Sequence, residues 1–346
     1  MLGVGILLKA VAAVAAPVPD PAQQLAAFKV LDGYEVSLFA SETNGIVKPI
    51  QIRFDPDGRL WVAGSVTYPQ IVPGEPANDR IVMLEDRDGL ARAWDDAHCE
   101  VVIHLAAQAG VRYSIENPRA YVRANIAGHL NVLELARSLG GELKHLIYAS
   151  SSSVYGGNDK APFSEDDPVD HPVSLYAATK RADELLSQTY AHLYRLPQTG
   201  LRFFTVYGPW GRPDMSPFLF VKNVLEGRPI DVFNHGDHQR DFTYVDDVVE
   251  GVLRTSDHPA EPDPAYDPAR PDASRSSAPW RIFNIGCERP VELLRYIEVI
   301  EQCTGKKAVK RMLPMQPGDV RATYADVSAL VEAVGYRPRV ALEDGM

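Results

Sequence analysis

The chain has 346 residues, with 35 Lys and Arg against 46 Asp and Glu and a net charge of −11. At roughly 100 to 200 residues per domain, this length predicts about two domains. The acidic balance, without a run of basic residues, excludes a nucleic-acid partner held mainly through phosphates. A hydrophobic content of 45% with 23% charged residues indicates a folded globular protein rather than a disordered one.

The first residues and the cysteines narrow the protein class further. The apolar start, residues 1–16, is interrupted by Lys9 and is too short to cross a bilayer. We therefore treat residues 1–27 as an unassigned leader and predict no membrane span. Cys99, Cys287 and Cys303 are odd in number and form no Cys-x-x-Cys pair, so neither a disulfide framework nor a metal site is expected. A reducing, cytoplasmic location fits this composition best.

Residues 28–94 predict an antiparallel β meander, because short apolar bursts alternate there with turn residues. The clearest hairpin joins residues 52–54 to 60–62. Its turn is Asp-Pro-Asp-Gly, in which proline presets φ and glycine closes the turn. The four predicted strands are 34–39, 51–54, 60–63 and 80–84.

From residue 95 onward, short apolar strands alternate with helical patterns, which predicts an α/β fold with a parallel sheet and crossover helices. One helix should begin with Asn117 as its cap and end at Gly140. A second should cover residues 173–195. The strands are predicted at 101–105, 145–149, 201–206 and 281–285. Apolar residues at helical spacing predict one buried face on the second helix, made of Leu175, Ala178, Ala182, Leu185, Leu186 and Leu193.

Three residues point to proton-transfer chemistry. Tyr176 and Lys180 stand four residues apart in the second predicted helix, so both project from the same side. A positive charge beside a phenol favours the phenolate, which can act as a general base. Ser151 follows a predicted strand, at the sheet edge where parallel folds bind ligands. An exposed helix pair and a polar turn would explain these residues separately, but not their combination.

From about residue 99 to 344, the chain resembles the extended short-chain dehydrogenase/reductase family. Within that family it is most similar to NAD-dependent nucleotide-sugar epimerases, and among those to UDP-glucuronate 4-epimerases. The resemblance implies a Rossmann-like parallel sheet with a small substrate-binding subdomain. It also implies a homodimer paired through two helices, one of which carries Tyr176 and Lys180. The matching segments are 101–114, Asn125, 150–156, 176–180, 201–209, 239–247 and 316–319.

The resemblance implies a catalytic role for each of the three residues. Tyr176 would take the proton of the sugar 4-hydroxyl, Ser151 would bridge this hydroxyl and the phenol, and Lys180 would hold the nicotinamide ribose. Hydride would pass from C4 to NAD and return to the opposite face of the rotated 4-keto sugar. Besides Tyr176 and Lys180, the positions that would line NAD are Ala106, Ala107, Gln108, Asn125 and Phe204. Core packing would also explain the two alanines and Phe204, which suits a buried strand.

The substrate class follows from the same resemblance. Thr205 and Arg212 would face a C5 carboxylate, and a guanidinium binds a carboxylate by two parallel hydrogen bonds. Ser152 and Ser153 would also contact the substrate. They occupy positions where related dehydratases and decarboxylases carry an acid, so epimerisation is favoured over elimination.

Two further positions would hold the UDP part of a UDP-sugar. Arg240 resembles the arginine that meets the pyrophosphate, although a surface ion pair with Asp237 or Asp241 would also explain it. Asp319 would hold the uridine end.

The sequence departs from the family pattern in its first part. The family opens with a strand, a Gly-x-x-Gly-x-x-Gly turn and a helix that hold the NAD pyrophosphate, and this chain contains no such turn. Residues 28–89 instead resemble the start of propeller-type sugar dehydrogenases of membrane-bound, haem-associated bacterial proteins, through segments 54–62 and 79–89. We therefore expect a leader (1–27), a propeller-like β meander (28–94) and a truncated epimerase domain (95–346) with an incomplete Rossmann-like sheet.

Two functions are compatible with this organisation. The first is NAD-dependent epimerisation at C4 of a UDP-sugar, UDP-glucuronate in particular. The alternative is a catalytically inactive fusion that at most binds a nucleotide sugar. Binding of NAD discriminates between them, because the catalyst must hold the dinucleotide.

Overall fold

The computed structural model describes residues 49–54, 60–64, 100–316 and 320–346. The chain divides into two compact units, residues 1–68 and 69–346. In the described ranges, none of the helices has the length and apolar character needed to cross a membrane. The domain boundary predicted near residue 95 falls outside the described residues and stays a prediction.

The smaller unit contains a β-hairpin. Strand β1 (Pro49–Phe54) pairs antiparallel with β2 (Leu60–Gly64), and Ile52 lies opposite Val62. This confirms the hairpin predicted from the Asp-Pro-Asp-Gly turn. The other two predicted meander strands, 34–39 and 80–84, lie outside the described residues.

The larger unit alternates strands and helices, as the sequence pattern predicted. Its strands are β3 (Val101–His104), β4 (His145–Ser151), β5 (Gln198–Phe203), β6 (Thr205–Tyr207), β7 (Ile230–Val232), β8 (Gln239–Tyr244), β9 (Trp280–Ile285), β10 (Pro290–Glu292), β11 (Lys310–Met312) and β12 (Ala322–Thr323). Its helices are α1 (Val111–Glu116), α2 (Pro118–Tyr121), α3 (Gly128–Leu139), α4 (Leu175–Tyr194), α5 (Ser216–Glu226), α6 (Val245–Ser256), α7 (Leu293–Thr304), α8 (Ser328–Val334) and α9 (Leu342–Gly345).

The main sheet is parallel, with strand order β3-β4-β5-β9. This confirms the predicted α/β class. One predicted strand, 201–206, is in fact two. The chain leaves the main sheet at Phe204, whose amide donates to the Ile285 carbonyl at 3.2 Å, and β6 then pairs with β8 in a second sheet.

The second sheet is mixed and belongs to a smaller layer. Strand β8 pairs antiparallel with β10 and parallel with β12 and β6, while β7 pairs with β11 separately. A distinct apolar cluster lies here, in which Phe242 stacks on Tyr296 with ring centroids 4.2 Å apart. This layer therefore has a core of its own, and its role in binding the substrate stays a prediction.

The first predicted helix is segmented. The Asn117 side chain accepts from the Ala120 amide and caps α2 with Pro118 as its first residue, as predicted. A π-helical turn (Val122–Ala127) then joins α2 to α3, which ends at Gly140 with a φ of 53°. Glycine adopts this positive φ without steric penalty, so the predicted stop is confirmed.

Helix α4 has the predicted extent, but the prediction of its buried face is wrong. Leu185 and Leu193 are 53% and 61% exposed. The buried side instead carries polar and small residues, namely Ala177, Thr179, Lys180, Asp183, Glu184, Ser187 and Ala191.

A buried ion pair explains the polar face of α4. The Glu184 carboxylate accepts two bonds from the Arg202 guanidinium on β5, at 2.9 and 3.0 Å. Ser150, on β4, donates to the same carboxylate at 2.6 Å. Hydrophobic spacing does not anticipate a helix that docks through a satisfied charge network, because such a network needs partners from distant strands.

Candidate functional site

The predicted serines lie at the carboxyl end of β4. Ser151 is the last residue of this strand and is buried. Its hydroxyl accepts from the Ser153 amide and lies 3.2 Å from the Ser153 hydroxyl. Ser152 and Ser153 begin the 3-10 turn that follows, and both are partly exposed. The strand end thus presents three hydroxyl groups at the edge where parallel sheets bind ligands.

Tyr176 lies in the first turn of α4, which Ser174 caps by accepting from the Ala177 amide. Its ring meets the edge of Tyr121, with centroids 6.1 Å apart. The Tyr121 hydroxyl in turn donates to the Gly110 carbonyl at 2.6 Å. Burial raises the pKa of Tyr121 well above its usual value, so this hydroxyl stays protonated and remains a donor. Tyr121 therefore braces the ring of Tyr176 against the loop after β3.

Lys180 lies one turn further along α4 and is buried. Its Nζ donates to the Asp183 Oδ2 at 3.0 Å. Burial raises the pKa of Asp183 to about 6, and the charge of Lys180 opposes this shift. Oδ1 of the same carboxylate has no hydrogen-bond partner in the described part of the chain. An ammonium has three N–H donors, so Lys180 has further donors besides the one that Asp183 accepts.

A pair of neutral histidines lies near Lys180. His104, the last residue of β3, stacks on His129 of α3 with ring centroids 5.4 Å apart. Burial, followed by the nearby charge of Lys180, lowers the pKa of His104 to about 3, and burial lowers the pKa of His129 well below its usual value. Neither ring carries a positive charge at neutral pH, so the positive charge here belongs to Lys180.

Asn125 fixes the loop that follows β3. Its Oδ1 accepts from the Gln108 amide at 2.8 Å, and its Nδ2 donates to the Gln108 carbonyl at 3.1 Å. Nδ2 also donates to Thr179 of α4 at 2.9 Å. The buried amide thus joins the loop to α4. Ala106, Ala107 and Gln108 are partly buried along this loop.

Arg212 approaches the same loop from the other side. Its guanidinium donates to the Asp214 carboxylate through Nε at 3.0 Å and Nη2 at 2.5 Å, and to the Ala109 carbonyl at 3.4 Å. A Cβ placed on Gly110 would lie 3.5 Å from Nη2 of Arg212 and 3.6 Å from the Tyr121 hydroxyl oxygen. Arg212 and the Tyr121 hydroxyl therefore meet at the Ala109 carbonyl, and Tyr121 in turn contacts the ring of Tyr176.

The remaining predicted residues lie in different surroundings. Phe204 is buried in the main core beside Tyr155 and Phe163, which agrees with the packing explanation. Its contact with the cofactor stays a prediction. Thr205 is partly buried at the start of β6.

Arg240 lies on the second sheet. It donates to the carbonyls of Gln239 and Arg321 at 2.9 and 3.1 Å. Of the two acids that we considered as partners, Asp237 pairs with Arg321 and Asp241 accepts the Cys287 amide. Asp319 lies outside the described residues.

Three residues of this site were missed by the sequence analysis, namely Tyr121, Asp183 and Asp214. Asp183 stands three residues after Lys180 on the same predicted helix, so charge pairing at helical spacing was an available signal. Asp214 stands two residues after Arg212 outside a helix, where this spacing rule does not apply. Tyr121 had no such signal, because its contact with Tyr176 exists only once two distant helices pack.

These features define a class. An open parallel sheet, with a tyrosine and a lysine one turn apart on the helix beside the carboxyl end of β4, is the arrangement of a short-chain dehydrogenase/reductase. Comparison with known proteins agrees. Residues 73–269 match the model of the NAD dependent epimerase/dehydratase family, and residues 20–96 match a domain of unknown function, DUF7133. The chain belongs to the NAD dependent epimerase/dehydratase family.

Its relatives refine the position within this family. Protein CapI of Staphylococcus aureus is 52% identical over 265 residues, 77% of this chain and 79% of that protein. The probable UDP-glucuronate 4-epimerase of Rhizobium meliloti is 51% identical over 265 residues, covering 76% and 77% of the two chains. The chain is therefore homologous to nucleotide-sugar 4-epimerases. The propeller resemblance of residues 28–89 stays a prediction, because DUF7133 has no known function.

Solved structures give the same result. UDP-glucuronic acid 4-epimerase from Bacillus cereus, in complex with UDP-glucuronic acid and NAD, superposes with a TM-score of 0.64 at 34% identity, covering 74% of this chain and 75% of that chain. UDP-glucose 4-epimerase from Thermotoga maritima, with UDP-glucose, gives 0.65 at 31% identity, covering 76% and 79%. The fold is that of these epimerases.

Proposed function

We propose that this protein epimerises UDP-glucuronate at C4, using NAD, through a 4-keto sugar. The observation that carries the proposal is that Arg212 donates to the Ala109 carbonyl at 3.4 Å, while the Tyr121 hydroxyl lies 3.0 Å from the same carbonyl and the Tyr121 ring contacts Tyr176. A base and a carboxylate-binding guanidinium that both lie beside Tyr121 suit a hexuronate, whose reacting C4 adjoins the carbon that bears the carboxylate.

Tyr176 acts as the base in this proposal. A C4 carbonyl forms when the 4-hydroxyl loses its proton to the Tyr176 oxygen and C4 loses its hydrogen as hydride. The Ser151 hydroxyl, at the end of β4, donates its one hydrogen bond to the sugar oxygen and accepts one from the protonated phenol. After the keto sugar has turned its other face, Tyr176 returns the proton to the oxygen. The net change is inversion at C4.

Lys180 serves the cofactor beside the base. Its buried ammonium lies one turn from Tyr176 on the same helix. Its remaining donors, together with the loop held by Asn125, fit the nicotinamide-ribose end of NAD. When bound, NAD supplies the acceptor and the donor of the two electrons of the C4–H bond. The residues that hold its pyrophosphate are not those of a Gly-x-x-Gly-x-x-Gly turn, because the sequence contains none.

The serines after β4 favour epimerisation over elimination. Ser152 and Ser153 provide hydroxyls and no carboxylate in the turn that follows Ser151. Loss of water from the sugar would need an acid at the leaving group. Together with Thr205, these hydroxyls are suited to hydrogen-bond the sugar. Arg240, on the second sheet, and Asp319 are proposed to hold the pyrophosphate and the uridine.

The test is conversion of UDP-glucuronate to its C4 epimer by purified protein with added NAD, followed by chromatography. We expect turnover that Tyr176→Phe lowers by a factor of about 100 or more, since a positioned base contributes on this scale. The Phe variant should still bind UDP-glucuronate in calorimetry. If the Phe variant turns over like the wild type, Tyr176 is not the base.

The missing glycine-rich turn favours one alternative, a fold that binds a nucleotide sugar without catalysis. Melting of the protein with and without millimolar NAD separates the two functions, since a ligand that binds only the folded state raises the melting temperature. An epimerase must show this shift. If UDP-glucuronate stabilises the protein but NAD does not, the result supports the non-catalytic, nucleotide-sugar-binding function.

A further inference from the structure

The guanidinium fork of Arg212, formed by Nε and Nη2, already binds a carboxylate, that of Asp214. Both of its bonds to Asp214 run from one edge of the guanidinium, through Nε and Nη2, to the two carboxylate oxygens. This is the geometry in which an arginine binds a free carboxylate ligand. The pair stands over Gly110, where a Cβ would lie 3.9 Å from the Asp214 Oδ2.

Within the described residues, this pair is only partly buried. The side chains of Arg212 and Asp214 are 36% and 53% exposed, and they are two residues apart in one connection between β6 and α5. Exposed pairs of this kind are weak, since water solvates both charges nearly as well as they solvate each other. Asp214 can therefore leave the fork at low cost when a better-placed carboxylate arrives.

We infer, on the basis of the proposed uronate epimerisation, that Asp214 is a specificity-determining residue that occupies the substrate-carboxylate position of Arg212 and yields it to UDP-glucuronate. A sugar with a carboxylate replaces Asp214 at the fork and restores the ion pair. A neutral sugar has no group to exchange, so the Arg212–Asp214 pair stays closed beside it. The resident carboxylate thus weakens uronate binding by competition and leaves neutral sugars unaffected.

The opposite role is also testable. If Asp214 merely orients Arg212, removing its charge will weaken uronate binding, because the guanidinium loses its support. Competition and orientation therefore predict changes of opposite sign in the same measurement.

The experiment measures dissociation constants of UDP-glucuronate and UDP-glucose by calorimetry for the wild type and Asp214→Asn. We expect UDP-glucuronate to bind about two- to five-fold more tightly to Asp214→Asn, the range set by the strength of an exposed pair. Binding of UDP-glucose should stay within error of the wild type. Asp272→Asn is the matched control. Asp272 also accepts hydrogen bonds from Nε and Nη2 of an arginine, Arg275, but it lies in the connection between α6 and β9.

Each outcome decides the inference. Unchanged or weaker UDP-glucuronate binding in Asp214→Asn overturns it, as does an equal gain for UDP-glucose or for the Asp272→Asn control. If the wild type binds UDP-glucuronate and Arg212→Ala loses this binding, the proposed function stands, even when Asp214→Asn changes nothing. Wild-type protein that binds no UDP-glucuronate contradicts both.

Discussion

Lys180 and Asp183 form an ion pair that is withdrawn from water on both sides, with Nζ and Oδ2 3.0 Å apart and side chains 4% and 1% exposed. The pair lies on the buried face of the helix that carries Tyr176. A buried charge without its partner is costly, whereas a buried pair can be replaced by apolar groups at little cost. This asymmetry makes the two residues energetically coupled.

Asp183→Ala should lower the free energy of unfolding by about 3 to 5 kcal/mol, because the Lys180 ammonium is left buried and unpaired. Adding Lys180→Met to this variant should recover a large part of the loss. Urea denaturation of the wild type, both single variants and the double variant measures the coupling. Asp170→Ala is the control, since Asp170 meets Arg181 at 3.4 Å on the surface and should cost about 1 kcal/mol or less. Strictly additive losses would contradict the coupling.

Glu165 makes stability depend on pH. Its Oε1 accepts from the Asn284 amide at 2.7 Å, and burial raises its pKa from 4.5 to about 7. Consider an acid whose pKa is higher in the folded state than in the unfolded state. The stability that its protonated form provides is fully present below the unfolded-state pKa and is lost as the pH rises through the folded-state pKa. Glu165 therefore lowers stability progressively between about pH 4.5 and 7.

Glu165→Gln should remove this dependence, because the amide oxygen keeps the bond to Asn284 without carrying a charge. Relative to the wild type, the variant should gain about 1 to 3 kcal/mol in unfolding free energy between pH 5 and 8. Denaturation at a series of pH values provides the measurement. The same substitution at exposed Glu332 is the control, and an equal gain there would contradict the assignment to Glu165.

Arg212→Ala tests the substrate class. A hydrogen-bonded guanidinium contributes about 1.5 to 3 kcal/mol to a charged partner, so UDP-glucuronate should bind about ten- to a hundred-fold more weakly. UDP-glucose lacks the carboxylate, and its binding should change by less than about three-fold. Calorimetry with both sugars gives the comparison. Equal losses for the two sugars would show that Arg212 does not recognise the carboxylate.

The parallel sheet was predictable because its evidence is local. Four short apolar segments separated by helical patterns can only be joined by crossovers, and all four strands formed in one sheet. The break at Phe204 was not predictable, since the apolar run continues through it. The break comes after the Phe204 amide has bonded to the Ile285 carbonyl on β9, where the chain begins to pair with β8 instead, and both partner strands lie far away in the sequence.

The features of the site also fall into those that local sequence pattern predicts and those that depend on distant packing. The spacing of Tyr176 and Lys180 on one helix, and the position of Ser151 at a strand end, follow from local pattern and were located correctly on α4 and β4. The roles of these residues stay proposals. The contact between Tyr176 and Tyr121 depends on the packing of α2 against α4, which no local spacing encodes.

The failed prediction of the α4 face has a consequence for assembly. The apolar residues at helical spacing do not face the core, because the core side of α4 is occupied by the Glu184–Arg202 pair. Leu185 and Leu193 are consequently exposed, and Leu130 on the adjacent α3 is exposed too. A second copy of the chain that packs on this surface would explain their exposure, and we propose this explanation.

We therefore expect a homodimer in solution through α3 and α4. The double substitution Leu185→Glu/Leu193→Glu should convert it to a monomer, since burying a leucine contributes about 1.5 to 3 kcal/mol and burying unpaired carboxylates opposes association. Analytical ultracentrifugation gives the mass, and circular dichroism shows whether each variant is folded. Leu225→Glu on α5, where Leu225 is 47% exposed, is the control and should leave the dimer intact. A monomeric wild type, or a double variant that remains dimeric, would rule out this interface.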